Sequence, residues 1–268
     1  MRIRYAVVAA LTLMGLASPA SAAELNYVAL GDSSVSGSGV PIQVDLVCTR
    51  SNRNWPAVVA SKLNAKLTDV SCGGATVNDF SAKQFGFVPP QYDALRPDTD
   101  LVTLTIGGND VSLVSTALGC VNALPEPVGV SCADRLGNSV SLAIQAWAPK
   151  LGIALEEIHR RSPDAEVIVA GYGTYIRHNG CWPVQPIWAR DANFMQAMVD
   201  ELSAAMRTQA LAHNAKFVDL APVTVGYDTC APIGHRYIEG LVPVQPTVPL
   251  HPTAEGLAAY GAAVAASV

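Results

Sequence analysis

Apolar residues follow two alternating patterns along the chain, short continuous runs and longer segments with helical spacing. Five of the short runs are rich in β-forming residues and predict strands at residues 27–30, 67–72, 100–106, 166–170 and 216–220. The run at 100–106 is apolar on both faces, which is typical of a central parallel strand. The pattern therefore predicts a sheet of about five strands.

Apolar residues at steps of three and four predict helices between these strands. Asn54 should cap the first helix, and Pro56 suits its first turn, where the missing N–H costs nothing. Further helices are predicted at 134–160, 191–212 and 253–267. Pro149 lies inside the first of these and should kink it or split it in two.

Two segments show neither period and are interpreted as loops, at residues 35–53 and 221–250. The second is long enough that we expect it to have a function, with Cys230 as its anchor. Strands and helices otherwise alternate, which predicts an α/β fold with a parallel sheet between two layers of helices. In such folds ligands bind outside the carboxyl ends of the strands.

The first residues resemble a secretion signal. Arg2 and Arg4 precede an apolar run at 5–17, and Ala20-Ser21-Ala22 supplies the small residues that a signal peptidase accepts. We expect residues 1–23 to be a removed signal peptide and 24–268 to be one secreted, extracellular domain. Because the run is too short to span a bilayer, no stable membrane anchor is expected; an uncleaved anchor is the alternative.

Charge and composition limit the partners. The formal net charge is −5, and no basic stripe or interleaving of aromatic and basic residues occurs, which argues against nucleic acid. An acidic, Ala/Val-rich exported protein suggests a small uncharged or lipidic ligand, and we expect a monomer without a cofactor.

Six cysteines in an exported chain should be paired. Of the fifteen possible connectivities we expect the sequential one, Cys48–Cys72, Cys120–Cys132 and Cys181–Cys230. No Cys-x-x-Cys occurs and no two histidines have zinc-ligand spacing, so no metal site is expected. The three bridges would all tie loops at the end of the sheet where ligands bind.

Small and polar residues follow the predicted strands and could form an ester-cleaving site. Ser33, directly after the first strand, is the candidate nucleophile, and Ser34 is its rival. The backbone N–H groups of Ser33 and Gly74 and the side-chain amide of Asn109 could stabilise an oxyanion. Alternatively, Gly74 is a plain turn glycine and Asn109 a helix cap.

Five histidines compete for the role of general base. His159 and His213 lie near helix ends and are interpreted as structural. His178 and His235 lie in cysteine-tethered loops and could contact substrate. His251 precedes the last helix, from where its imidazole could reach the strand ends.

Four motifs together resemble the GDSL or SGNH hydrolases: Gly31-Asp32-Ser33-Ser34, Gly73-Gly74-Ala75-Thr76, Gly107-Gly108-Asn109-Asp110 and His251-Pro252-Thr253-Ala254-Glu255-Gly256. With the six cysteines, the layout is similar to the secreted actinobacterial lipase/esterase branch. The resemblance implies a flavodoxin-like three-layer fold, Ser33 as nucleophile, His251 as base, and Gly74 with Asn109 in the oxyanion hole.

One position departs from that family. Many members have Asp three residues before the histidine, where this chain has Val248. Valine cannot orient an imidazole through a carboxylate, so we expect a Ser33–His251 dyad in which the main-chain carbonyl of Val248 accepts the imidazole N–H. A distant carboxylate, Asp228 or Glu255, is the alternative.

The sequence thus predicts a secreted serine esterase or lipase that acts on esters of lipids or short acyl chains. The loops favour such substrates because they carry uncharged apolar residues, namely Phe85, Phe87, Val88, Ile187 and Trp188, which could otherwise pack beneath the loops. Two alternatives stay open, a carbohydrate acetyl esterase and a non-catalytic lipid- or sugar-binding module on the same fold.

Overall fold

The structure is a computed structural model that describes residues 24–268; the expected signal peptide, residues 1–23, lies outside the described residues. The strands in chain order are β1 (Asn26–Gly31), β2 (Gln43–Asp45), β3 (Arg50–Ser51), β4 (Lys66–Asp69), β5 (Leu101–Thr105), β6 (Glu166–Ala170) and β7 (Lys216–Val218). The helices are α1 (Ser33–Ser36), α2 (Trp55–Leu63), α3 (Leu113–Leu118), α4 (Cys132–Leu136), α5 (Ser139–Arg161), α6 (Ala189–Ala212), α7 (Ala221–Thr224) and α8 (Ala254–Ala265). Two 3-10 helices lie at Val77–Phe80 and Gln91–Ala94.

The central sheet has five parallel strands in the order β4-β1-β5-β6-β7. Counted among the parallel strands alone, this is the flavodoxin-like order 2-1-3-4-5. Strand order reverses at β1, and Val28 pairs there with Thr68 on one side and Val102 on the other. The predicted α/β class and sheet are confirmed, and the ends of β1 and β5 flank the expected ligand position.

Helices cover both faces of the sheet. Helices α2 and α8 pack on one face, where the buried residues include Trp55, Val59, Leu257, Tyr260 and Val264. Helices α5 and α6 pack on the other, where they include Ile144, Trp147, Leu151, Leu202 and Met206. All five residues of β5 are buried, since this strand has helices above and below it.

Most predicted element starts agree with the structure. The side chain of Asn54 accepts a hydrogen bond from the Ala57 N–H at 3.1 Å, and Pro56 lies in the first turn of α2. Thr253 caps α8 in the same way, accepting from the Gly256 N–H at 3.1 Å. Both caps satisfy donors that the helix itself leaves unpaired.

Three predicted elements are wrong in detail, and the first is the predicted loop at 221–250, which begins with α7. Residues 35–53 are not all loop, because they contain the end of α1 and the antiparallel pair β2–β3, which has no apolar period and is tied by the Arg50–Asp45 ion pair at 2.8 Å. The helical segment at 134–160 divides at Gly137, whose φ of +53° ends α4, and α5 continues through Pro149. Burial of α5 against the sheet and α6 outweighs the single hydrogen bond that a proline removes.

Three disulfides join the sequential cysteine pairs, Cys48–Cys72, Cys120–Cys132 and Cys181–Cys230. Every one of these cysteines lies in a segment that follows the carboxyl end of a sheet strand, or at the start of a helix there. The bridges therefore fix the loops around the expected ligand edge. Among residues 24–268, no helix has the length and apolar character needed to cross a bilayer.

Candidate active site

Ser33 is the first residue of α1 and is separated from the end of β1 only by Asp32, which caps the helix. The turn before it requires glycine: Gly31 has φ +139°, and a Cβ there would lie 2.5 Å from the Thr105 carbonyl oxygen. The buried Gln91 side chain fixes the same residue, accepting from the Gly31 N–H at 2.7 Å and donating to its carbonyl at 2.9 Å. The N–H and the carbonyl of Gly31, two residues before Ser33, are therefore both held by one side chain.

The two adjacent serines have different surroundings. Asp32 accepts hydrogen bonds from the Ser34 N–H at 2.9 Å and from the Ser34 hydroxyl at 2.8 Å, and Ser34 is buried. The Ser33 hydroxyl instead lies 2.7 Å from Nε2 of His251. Of the two hydroxyls, the one at Ser33 is thus beside a base.

The orientation of His251 differs from the prediction. Its Nδ1 lies 2.8 Å from the carbonyl oxygen of Pro249, not of Val248. The Val248 carbonyl accepts from the backbone N–H of His251 at 3.2 Å, because residues 248–251 form a turn. Val248 is therefore wrong as the orienting group, and the next carbonyl along the chain occupies that position.

Neither carboxylate named as an alternative contacts the imidazole. Asp228 is buried, pairs with the Arg177 guanidinium at 3.1 Å and accepts from the Cys230 N–H at 2.8 Å. Glu255 is exposed and accepts from the Gln245 side chain at 3.2 Å. The hydrogen-bond partner of His251 Nδ1 is a main-chain carbonyl.

A buried ion pair anchors the loop that carries His251. Glu239 is fully buried, accepts from Arg236 at 2.9 Å and from the Gly240 and Gln245 N–H groups at 2.7 and 2.9 Å. Its own backbone pairs with the histidine turn, donating to the His251 carbonyl at 3.0 Å and accepting from the Leu250 N–H at 3.2 Å. Sequence reasoning missed this pair, which shows no motif beyond Arg and Glu three residues apart.

The other histidines lie elsewhere. His159 in α5 lies with Nε2 3.1 Å from the carbonyl oxygen of His213, the residue that follows α6. His178 and His235 are exposed in loops. Among the residues that the structure describes, no three His, Cys, Asp or Glu side chains are grouped so as to bind a metal ion.

Of the candidate oxyanion residues, Asn109 and Gly74 differ in whether they line the cleft beside Ser33. The Asn109 amide donates to the Ala75 carbonyl at 2.9 Å. This bond fixes the orientation of the amide group and so the direction of its second N–H. Asn109 lines the same cleft as Ser33 and His251, and it caps no helix, since Ser112 precedes α3. Gly74 lies one residue before Ala75, with φ +78°, but does not itself line the cleft.

A buried hydrogen-bond chain joins the turns after β1 and β5. The Tyr172 hydroxyl donates to Asp32 at 2.7 Å and accepts from the Gly108 N–H at 2.8 Å, next to Asn109. Both Asp32 and Tyr172 are at most 5 % exposed. Sequence reasoning used neither residue, although Asp32 is part of the first motif and Tyr172 follows β6.

Burial shifts the pKa values of this region. Desolvation lowers the pKa of His251 from its usual 6.5, with the Pro249 hydrogen bond and the charge of Asp32 acting in the opposite direction. Burial also raises the pKa of Asp32, and it raises the pKa of Asp110 from 3.8 to about 6. Because the pKa of His251 lies below 6.5, its imidazole is mostly neutral at pH 7, as a general base must be.

The cleft beside Ser33 is mainly apolar. Apart from the polar residues already described, its lining consists of side chains from α3 and α6 and the histidine turn, namely Leu113, Val114, Ala117, Met195, Met198, Val199 and Leu250, together with Tyr175. An apolar cleft of this kind suits a hydrocarbon chain more than a sugar ring.

Tyr172→Phe should lower both stability and turnover. The change leaves a buried carboxylate oxygen and the Gly108 N–H without partners, at a cost of about 2 kcal/mol or more in the free energy of unfolding. Because Gly108 adjoins Asn109, we expect kcat to fall about tenfold with little change in KM. Tyr260→Phe is the matched control, since the Tyr260 hydroxyl is also buried, has no hydrogen-bond partner among residues 24–268 and lies on the other face of the sheet. Its thermal stability and ester kinetics should stay near wild type, and equal losses in the two variants would contradict the assignment.

A comparison with protein families shows the family of the chain. The model of the GDSL-like lipase/acylhydrolase family matches residues 29–259. The chain belongs to this family. This hydrolase is therefore a carboxylic ester hydrolase of the lipase and esterase class, and the expected relationship is confirmed.

Similar proteins come from Streptomyces. The hydrolase is 40% identical to Lipase 2 of Streptomyces coelicolor over 273 residues, which cover 95% of this chain and 92% of that protein. The crystal structure of an extracellular lipase from Streptomyces rimosus matches 91% of this chain and 98% of its own with a TM-score of 0.76 and 27% identity. That of phospholipase A1 from Streptomyces albidoflavus matches 91% and 99% with the same TM-score and 26% identity.

Proposed function

We propose that this hydrolase cleaves carboxylic esters through an acyl-enzyme on Ser33, with His251 as general base. The observation that carries the proposal is the 2.7 Å contact between the Ser33 hydroxyl and His251 Nε2. In acylation, the Ser33 oxygen attacks the ester carbonyl, His251 takes the serine proton, and the same proton passes to the leaving alcohol. A water molecule then deacylates the enzyme by the same route.

The Pro249 carbonyl supports this direction of proton transfer. A carbonyl oxygen only accepts, so the neutral imidazole carries its proton on Nδ1 and donates it to Pro249. Nε2 is then unprotonated and accepts from the Ser33 hydroxyl. The carbonyl thus selects the tautomer, which a carboxylate does in a triad, although it carries less charge to stabilise the imidazolium.

Three N–H groups would stabilise the oxyanion, those of the Ser33 and Gly74 backbones and the Asn109 side chain. Neither backbone N–H has an acceptor among the described residues. Gly74 is not part of the cleft lining itself, but it adjoins Ala75, whose carbonyl fixes the Asn109 amide that does line the cleft. These donors are neutral and cannot take the serine proton. Because the dyad lacks a carboxylate partner, we expect them to supply a large share of the rate.

We propose lipid or other medium- to long-chain acyl esters as the substrates. The apolar lining of the cleft, with side chains from α3 and α6, supports this choice. Steady-state hydrolysis of acyl esters of increasing chain length tests the proposal. We expect kcat/KM to rise from acetyl to longer chains, whereas a preference for acetylated sugars would favour a carbohydrate acetyl esterase.

We also propose that the protein acts outside the cell, as a monomeric domain that comprises residues 24–268. Three disulfides support an oxidising location. The Streptomyces rimosus lipase to which the chain is similar is described as extracellular. The signal peptide at 1–23 stays a prediction, which N-terminal sequencing of the exported protein would test.

The acidic limb of the pH–rate profile should lie below pH 6.5. Burial lowers the pKa of His251, so more than half of the base is still neutral at pH 6.5, and kcat/KM should fall to half of its plateau only below that pH. Asp110 has a pKa raised to about 6 and lies next to Asn109, so Asp110→Asn is the control. An acidic limb above pH 6.5, or one that disappears in Asp110→Asn, would contradict the assignment of the limb to His251.

A further inference from the structure

Exposed apolar side chains are concentrated at one end of the molecule. All but four of the large apolar side chains exposed in residues 24–268 lie in segments that lead away from the carboxyl ends of the sheet strands. The four exceptions are Leu142, Ile153, Leu211 and Val268. Single exposed apolar residues are ordinary, but a one-sided distribution of this kind marks an interaction surface.

Two neighbouring loop tips form the first part of this surface. The tip around β2 exposes Val44, Leu46 and Val47, and Leu46 is 81% exposed. The tip around Phe85 and Phe87 exposes both rings, whose centroids lie 6.3 Å apart.

Both tips are attached to the strand that leads to Gly74. The Cys48–Cys72 disulfide ties the first tip to the end of β4, and the Gly73 N–H donates to the Cys48 carbonyl at 2.8 Å. The Gln84 side chain ties the second tip, donating to the Gly73 carbonyl at 2.8 Å. Both tips therefore stand beside the peptide that leads into the proposed oxyanion hole.

The surface continues into the loop that carries His251. The Val248 N–H donates to the Ser38 carbonyl at 3.2 Å, which places this loop against the segment that leads to the first tip. Val242, Val244 and Val248 are exposed there. The Leu241 N–H donates in turn to Gln185 at 3.0 Å, in the segment between β6 and α6.

The remaining part is the loop after α3, which is hydrogen-bonded to the segment before α6. The Asn122 N–H donates to the Pro186 carbonyl at 2.7 Å, and the Trp188 indole donates to the Leu124 carbonyl at 2.8 Å. The loop thus joined to the Gln185 segment exposes four apolar side chains, Val121, Leu124, Val128 and Val130. The exposed apolar residues named here therefore belong to one series of hydrogen-bonded loops around the Ser33 cleft.

Three ion pairs neutralise charges within these loops, and Lys83 next to the second tip is a single exposed cation. Asp45 pairs with Arg50 at 2.8 Å, Glu126 pairs with Arg190 at 3.9 Å, and the Glu239–Arg236 pair is buried. A surface with apolar side chains and paired charges suits an interface without net charge. It offers no cationic cluster of the kind that attracts anionic lipid.

We propose that these loops form a docking surface for uncharged or zwitterionic lipid aggregates, through which the ester enters the Ser33 cleft directly from the lipid phase. The inference rests on the proposed function, because the occupant is chosen by the continuity of the surface with an apolar cleft that accepts acyl chains. Leu46, Phe85 and Phe87 insert between the lipid headgroups, and the protein stays outside the hydrocarbon core.

Sedimentation of vesicles made from ether-linked phosphatidylcholine tests the surface, because this lipid has no ester to cleave. We expect the protein to bind, and we expect Leu46→Gln/Phe87→Gln to lower the partition coefficient about 30-fold through the lost apolar burial. Ile153→Gln/Leu211→Gln is the matched control, two side chains of similar exposure on α5 and α6, and should bind like wild type. Binding should not change between about 0.1 and about 1 M salt.

Several results would overturn the proposal: no binding of the wild type, equal losses in the two double variants, or binding that requires anionic lipid and disappears in salt. Hydrolysis of a soluble short-chain ester is measured in parallel and should be unchanged in Leu46→Gln/Phe87→Gln. A protein that binds the vesicles but cleaves no ester would refute the proposed function and leave the docking surface standing.

Discussion

His251→Ala should lower kcat by about 10,000-fold or more while the protein stays folded. The imidazole lies 2.7 Å from the Ser33 hydroxyl, and no other base contacts that oxygen among residues 24–268. Without it, Ser33 is a neutral alcohol that attacks an ester poorly. Hydrolysis of a soluble acyl ester by stopped-flow or steady-state kinetics measures the loss.

Two carboxylate variants test whether Ser33 and His251 act as a dyad, without a carboxylate. Glu255→Gln should retain nearly full kcat, because that side chain is exposed and contacts Gln245 rather than the imidazole. Asp228→Asn breaks the pair with Arg177 and should lower thermal stability more than it lowers kcat of the folded enzyme. If either variant were as inactive as His251→Ala, a carboxylate would have to take part and the role of the Pro249 carbonyl would be wrong.

Asn109→Ala should lower kcat by about 100-fold or more, equivalent to about 3 kcal/mol of transition-state stabilisation. The Asn109 amide is fixed by the Ala75 carbonyl at 2.9 Å and lines the cleft with Ser33, so its remaining N–H would stabilise charge that develops in the transition state. For that reason KM should change little. Comparing kcat and KM with those of wild type on the same ester separates this effect from weaker substrate binding.

Asn78→Ala is a suitable control for that variant, since Asn78 is exposed and follows the same strand end as Gly74. It should retain wild-type kcat. A loss at Asn109→Ala of less than about fivefold, or one that falls mainly on KM, would contradict a place for this amide in the oxyanion hole.

The fold could be predicted well because its signals are local. The sequence of β5 is apolar on both faces, which predicts a buried strand. Asn54 followed by Pro56 predicts the start of α2, because asparagine is a preferred N-cap residue. The β2–β3 pair could not be predicted, since its order comes from the Asp45–Arg50 ion pair and a disulfide rather than from an apolar period.

The geometry of the histidine turn could not be predicted from the sequence either. Whether the imidazole meets the carbonyl of Val248 or that of Pro249 depends on the backbone of one turn, in which Leu250 has φ +60°. This conformation is unusual for leucine and is imposed by the pairing of the turn with the backbone of Glu239. Glu239 and Tyr172 likewise act through contacts with residues far away in the sequence. Neither residue is therefore part of a motif that the sequence shows.

Labelling with a serine-directed phosphonate tests the central claim most directly. The reagent should inactivate the wild type with one equivalent bound, and mass spectrometry of the digested protein should place the label on Ser33. His251→Ala should label far more slowly, because the base that activates the hydroxyl is gone. A label on Ser34 or on another residue, or full inactivation with Ser33 unmodified, would contradict the assignment of Ser33 as the nucleophile.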